Sequence, residues 1–242
     1  MKIGIIGHGR FGKLWAELME EFGEVFIFDN KQTTVNSKQF CHNIKDVLVV
    51  DILFLLVPIS EIRNVCREIK DLLPEKTIVV DACSVKVKPV EDMKNELKNN
   101  QPIVATHPLF GPDSVKRMGL LGQKIAVCPI RVTESQLQIL LNILEKLKLK
   151  IIHTIPEEHD KQMARSQALV HFLGRGLADL ELREQEISTP DYDSLLKIND
   201  LVNNDTKQLF FDMQFYNPFA KEVREELIKS LQKLENNIKN YE

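Results

Sequence analysis

Lys2-Ile3-Gly4-Ile5-Ile6-Gly7-His8-Gly9-Arg10-Phe11-Gly12 opens the chain, and how this stretch folds decides the rest. Its first five residues form a short apolar run rich in β-branched side chains, which predicts a buried strand. Glycines at 7, 9 and 12 follow at once, with His8, Arg10 and Phe11 between them. Lys13–Phe22 then carries Leu14, Ala16, Leu18 and Met19 at helical spacing. A strand, a glycine turn and a helix in that order form a phosphate cradle. Gly7 permits the turn, Gly9 lets the backbone approach a diphosphate, and Gly12 lets helix and strand pack closely. The unpaired N–H groups and positive dipole end of the helix attract the phosphates.

A second strand, Val25–Phe28, ends in Asp29, twenty positions after Gly9. A carboxylate there accepts hydrogen bonds from an adenosine ribose and repels a 2′-phosphate. The pattern therefore favours NAD, while Lys31 softens the preference and leaves NADP open. Further strands are expected at Asp51–Val57 and Thr77–Asp81, with a helix over Ser60–Leu73 between them. Ligands bind outside the carboxyl ends of such strands, so Val57, Pro58 and Ser84 should border the nicotinamide end of a bound dinucleotide. The lesser alternative for Ser84 is a cap on the following helix, expected over Val90–Lys98. Ile103-Val104-Ala105 leads into Thr106-His107-Pro108-Leu109-Phe110-Gly111-Pro112-Asp113. Pro108 restricts the backbone of His107 and Gly111-Pro112 turns the chain, which holds an imidazole stiffly at the mouth of a sheet. An imidazole of ordinary pKa suits general-base chemistry near neutral pH. A strand at Lys124–Cys128, a helix at Glu134–Leu147 and a strand at Lys150–Thr154 complete the alternation. The reading is a Rossmann-type, doubly wound, mainly parallel α/β domain over residues 1–154.

Residues 155–242 read as a smaller all-helical domain. Pro156-Glu157-Glu158 is a good helix start. A helix from Asp160 to about Arg183 is apolar nearly all round and should be buried. Gln167, His171 and Arg175 are spaced four apart and share one face. Such a stripe is either a satisfied core network or the lining of a cleft between domains. Arg165 lies elsewhere around the helix. Further helices are expected over Asp193–Met213 and Ala220–Lys239. Val223, Leu227, Leu231, Leu234 and Ile238 make an apolar stripe on the last of them, a core face or a dimer seam. So few helical residues can hardly enclose all this apolar surface alone, so a homodimer through the C-terminal helices is expected.

Composition narrows the class. The chain has 242 residues, 43% of them hydrophobic and 28% charged, which is ordinary for a soluble globular protein. A net charge of -3 argues against a dedicated nucleic-acid binder. Cys41, Cys66, Cys83 and Cys128 are scattered, so free thiols are expected, with neither a disulfide framework nor a metal site. The N-terminus lacks the marks of a signal peptide and no apolar run reaches membrane-span length. A cytoplasmic protein with a small-molecule substrate, no membrane and no nucleic-acid partner is the expectation.

Taken together, the chain resembles the prephenate and arogenate dehydrogenase family of tyrosine biosynthesis. The matching segments are Gly7–Gly12, Asp81-Ala82-Cys83-Ser84-Val85-Lys86, Thr106–Asp113, Glu157-Glu158-His159-Asp160, Ser166–Phe172 and Leu209–Gln214. The glycine motif is common to many dehydrogenases; His-Pro-Leu-Phe-Gly-Pro-Asp combined with Gln-Ala-Leu-Val-His-Phe is far more specific. The resemblance implies an oxidoreductase acting on a cyclohexadiene with a ring carboxylate and a 4-hydroxyl. It implies that C4 gives hydride to nicotinamide, the hydroxyl gives its proton to His107, and CO2 loss makes the ring aromatic. It further implies a His107 pKa of about 6.5, a Ser84 bonded to His107 or the nicotinamide, and substrate contacts from His171. One feature departs from the family: many bacterial members carry a carboxylate-binding arginine in the stretch matching Ile198–Lys207, and none is present here. Arg175 is the best-placed substitute by helix phase, with Gln167 beside it, and Lys116 and Arg117 come next. Two alternatives are a related dehydrogenase of another small carboxylate and a catalytically silent dinucleotide-binding regulator. Against the first, β-hydroxyacid dehydrogenases place a catalytic lysine on the interdomain helix, and Lys161 lies too near its start.

Overall fold

The computed structural model describes residues 1–31, 39–203 and 205–241. It divides into two compact units, Met1–His159 and Asp160–Glu242, a division a few residues past the expected one at 154/155. In the first, β1 (Lys2–Ile6), β2 (Glu24–Phe28), β3 (Ile52–Leu55), β4 (Ile78–Asp81), β5 (Ile103–Pro108), β6 (Lys124–Arg131) and β7 (Lys150–His153) form one sheet. Their order is β2-β1-β3-β4-β5-β6-β7. The helices are α1 (Arg10–Met19), α2 (Ile62–Ile69), α3 (Val87–Glu96), α4 (Pro112–Met118) and α5 (Glu134–Lys146). Every residue of β3, β4 and β5 is buried. Strands covered on both faces need the continuous apolar runs seen in the sequence. Trp15, Met19, Phe54 and Leu140 fill the core between sheet and helices.

The sheet is parallel from β2 through β5, but β6 runs antiparallel to β5. A parallel return needs a long crossover that packs on the sheet. The connection here contains only α4, which buries none of its residues, so the chain doubles back directly. Parallel pairing puts the carboxyl ends of β1, β3, β4 and β5 along one edge. Ile6 is in register with Leu55, Leu55 with Asp81, and Asp81 with Ala105. The order reverses at β1, a switch point of the kind that opens a ligand crevice.

The second unit holds the rest of α6 (Pro156–Met163), then α7 (Leu169–Ala178), α8 (Pro190–Asn203), α9 (Lys207–Tyr216) and α10 (Ala220–Lys239). A π-helical turn, Ala164–Ala168, joins α6 to α7. Ala164, Ala168, Ala220 and Val223 make a small core. Two expectations are corrected. The helix expected over 193–213 is two helices, because Thr206 caps α9 by accepting from Leu209 N, at 3.1 Å; residue 204 of that expectation lies outside the described residues. The helix expected to be buried all round is not, since Val170, Leu173 and Leu180 are exposed. No helix among the described residues is long and apolar enough to cross a membrane.

Candidate functional site

The site of the first unit is built on the carboxyl edge of the sheet. Gly7 follows β1 with φ +107, and a Cβ there would lie 2.3 Å from Leu56 O. A Cβ on Gly12 would lie 2.2 Å from Gly7 O, whereas one on Gly9 would meet nothing within 4 Å. Two glycines are therefore required by the fold itself, and Gly9 by nothing the chain supplies. Asp29 closes this end: its carboxylate accepts from His8 N at 2.6 Å and Lys31 N at 2.8 Å. An ionised carboxylate offers about four acceptor sites, so two remain for a ligand's hydroxyls. The glycine turn, its open cradle and the anchored Asp29 fit a dinucleotide.

His107 lies inside β5 and is buried. Its neighbour Thr106 is pinned from both sides. The Thr106 hydroxyl donates to Asp81 O at 2.6 Å, and the Lys86 ammonium donates to Thr106 O. Lys86 also pairs with the Asp81 carboxylate, and both are fully buried. Breaking such a pair costs several kcal/mol, so this network fixes the backbone beneath the imidazole. Two contacts tie the His107 segment to the glycine turn: Arg10 with Asp113 at 2.6 Å, and the Phe11 and Phe110 rings at 6.2 Å between centroids. Val57 and Pro58 follow β3, and Ser84 follows β4, on the same edge.

One expectation about His107 needs correction. Its pKa is not ordinary: burial pushes it well below 6.5, and His159 and the Lys86 ammonium add to the shift. The ring is neutral at pH 7 because a second charge cannot be solvated there. Of the two bonds implied for Ser84, the one to His107 is absent among the described residues. Nδ1 of His107 instead lies 2.9 Å from Nε2 of His159, which is also buried. The capping alternative for Ser84 also fails, because α3 is preceded by Lys86. His159 is the member of this site that reading residue by residue missed. The signal was its place in Glu157-Glu158-His159-Asp160 one turn into a helix.

In the second unit, Gln167, His171 and Arg175 each keep a buried polar atom without a hydrogen-bond partner: Oε1, Nδ1 and Nε respectively. Natural interiors rarely leave such atoms unsatisfied, and three on one stripe suit a polar ligand or ordered water. The Arg175 guanidinium donates to Asp205 O at 2.6 Å and lies 5.8 Å from the centroid of the Phe210 ring. His171 Nε2 is 3.7 Å from the Asp205 carboxylate, beyond hydrogen-bond reach. Burial lowers the His171 pKa, with Asp205 opposing and Arg175 adding. Arg165 points elsewhere and pairs with Glu226 at 3.2 Å. None of Cys41, Cys66, Cys83 and Cys128 is in a disulfide, and burial pushes the Cys66 thiol up to about 12.

Residues 28–153, just over half of the chain, match the family model for the prephenate dehydrogenase nucleotide-binding domain. The match begins beyond the glycine turn. A second model, a TYRAAT1-like C-terminal domain, matches residues 176–242. The probable arogenate/prephenate dehydrogenase of Methanocaldococcus jannaschii is 28% identical over 208 residues, covering 82% of this chain and 46% of that protein. The chain thus spans about half the length of that relative. Chloroplastic arogenate dehydrogenase 2 of Arabidopsis thaliana is 28% identical over 239 residues, covering 94% of this chain and 67% of that protein. Among solved structures, prephenate dehydrogenase from A. aeolicus, in complex with hydroxyphenyl propionate and NAD+, superposes with a TM-score of 0.78. It is 20% identical and covers 100% of this chain and 91% of its own, a likeness of fold.

Proposed function

The chain belongs to the prephenate dehydrogenase family, and from that premise we propose that it catalyses the NAD-dependent oxidative decarboxylation of prephenate or arogenate. One observation carries the reading: a buried, neutral imidazole, His107, on the same sheet edge as an open glycine cradle and tied to it through Arg10 and Phe11. NAD, held at the turn of Gly7, Gly9 and Gly12, would supply the acceptor for a hydride from C4 of the substrate ring. His107 takes the 4-hydroxyl proton at Nε2, which has no partner among the described residues. The bond to the ring carboxylate breaks, CO2 leaves, and its electron pair completes the aromatic ring. Ser84 is assigned to the nicotinamide end of the site, with Val57 and Pro58.

Gln167, His171 and Arg175 are assigned to the substrate. Arg175 takes the place of the arginine absent from Ile198–Lys207, because a bidentate guanidinium suits a carboxylate. Its unpaired Nε supports this. Arg175→Ala is expected to raise the KM for the carboxylate substrate about 10- to 100-fold, and His171→Ala less, with kcat little changed in both. Steady-state kinetics check this, and an unchanged KM would return the stripe to the core.

Asp29 favours NAD, although the relatives from Schizosaccharomyces pombe and Saccharomyces cerevisiae are named for NADP(+). The deciding assay mixes purified protein with NAD and prephenate, then arogenate, and follows the absorbance of the reduced cofactor. Production with either substrate names it; cofactor binding without turnover overturns the enzyme reading.

A homodimer through the C-terminal helices belongs to the same proposal. Leu231, Leu234 and Ile238 are 53%, 55% and 62% exposed on α10, and Phe211 and Phe215 are exposed on α9. Apolar surface of this extent calls for a cover. Analytical ultracentrifugation is expected to give the mass of two chains at micromolar concentration, and a single-chain mass would sink the assignment.

A further inference from the structure

We propose that His159 is the positioning residue for the base: its Nε2 accepts the Nδ1–H of His107 and thereby fixes the tautomer of His107. The inference rests on the reading of His107 as the proton acceptor. The two rings meet edge to face, 5.0 Å apart at 67°, with 2.9 Å between the facing nitrogens. Only one proton fits in that gap. Either His107 donates from Nδ1 and keeps a lone pair on Nε2, or His159 donates from Nε2 and His107 carries its proton on Nε2. Only the first arrangement leaves a basic nitrogen for a substrate hydroxyl.

One consideration selects it. Nε2 of His107 has no partner among the described residues and is not one of the fully buried unpartnered atoms, so burial does not choose between the two arrangements. The first arrangement survives the reaction. When Nε2 takes a proton, Nδ1–H still donates to His159, and the imidazolium keeps its partner. The second arrangement has no basic site to begin with. The His159 ring nitrogen here does what a carboxylate oxygen does behind many catalytic histidines, accepting the Nδ1–H.

Geometry also explains why the two residues meet. His107 sits two positions past Ala105 at the carboxyl end of β5, and His159 lies in the first turn of α6 after the sheet's last strand. Both belong to the first unit, so the pair is made within one compact body.

The test has two arms on the full chain. Long-range proton–nitrogen NMR correlations of the labelled protein at about pH 8, above the ordinary imidazole pKa, report both tautomers, with His107→Asn used for assignment. The expected result is a proton on Nδ1 of His107 and none on its Nε2 or on Nε2 of His159. A proton on Nε2 of His107 would overturn the proposal. The second arm compares two variants. His159→Gln keeps an acceptor at about the position of Nε2 and should keep kcat within about tenfold, whereas His159→Leu should lower it about 10²- to 10⁴-fold with NAD affinity unchanged. Equal losses in both, or none in the leucine variant, would overturn the assignment. Should the leucine variant fail to fold, the tautomer in the parent and the glutamine variant still decide. A parent inactive on both substrates would remove the proposed activity yet leave the tautomer measurement standing on its own.

Discussion

His107→Asn is expected to lower kcat about 10²- to 10⁴-fold, the range for losing a general base, with NAD affinity held within about twofold. Asparagine places an amide group near Nδ1 and can still face His159, but it carries nothing basic where Nε2 lies. The Asp81–Lys86–Thr106 network that holds the β5 backbone does not involve the ring, so the fold should persist. Stopped assays with prephenate or arogenate give the rate, and calorimetric titration gives the affinity. Loss of NAD binding in this variant would contradict the assigned role, because the proposed cradle is the turn of Gly7, Gly9 and Gly12.

The same residue sets the pH dependence. Burial holds the His107 pKa well below 6.5, so the base form persists as the pH falls through 6.5. The acid limb of kcat/KM for this group should therefore lie clearly below the ordinary imidazole range, and a limb centred at 6.5 would show the ring to be solvated. Stability moves with it. The unfolded chain takes up this proton near 6.5 while the folded chain resists until far lower, so acidification below 6.5 favours unfolding. His171 contributes in the same direction. Above 6.5 neither form binds the proton and this contribution is flat.

Much of the first unit was legible because its signals are local. A five-residue apolar run, a glycine turn and a helix can be read within a window of about twenty residues, and so can His107 behind Ile103-Val104-Ala105. What pairs across the chain was not. The antiparallel β6 depends on whether the segment after Phe110 packs on the sheet, and α4 shows its answer only in what it leaves exposed. His159 is 52 positions from His107, and no spacing rule joins them. The break before α9 did carry a local signal, since Asp205-Thr206 is a good helix start. It was outweighed by the apolar periodicity on either side. The exposed apolar face of α10 was visible as a stripe, but periodicity alone does not say whether a stripe is covered.

The glycine turn gives the sharpest separation between what the fold needs and what a ligand needs. Gly7→Ala and Gly12→Ala should each destabilise the first unit by about 2–4 kcal/mol, through strain and close contacts with backbone that cannot yield cheaply. For Gly7 the cause is φ +107 together with Leu56 O; for Gly12 it is Gly7 O. Gly9 differs in both respects: its φ is -69, and a Cβ would meet nothing within 4 Å. Gly9→Ala should then unfold in urea within about 0.5 kcal/mol of the parent. Its NAD affinity should nevertheless fall about 10- to 100-fold, because a methyl group would occupy the approach of a diphosphate to the backbone. Urea melts and calorimetric titration on the three variants read the two effects independently. A Gly9→Ala protein that binds NAD like its parent would mean the diphosphate rests elsewhere, and the placement of the nicotinamide beside His107 would lose its anchor.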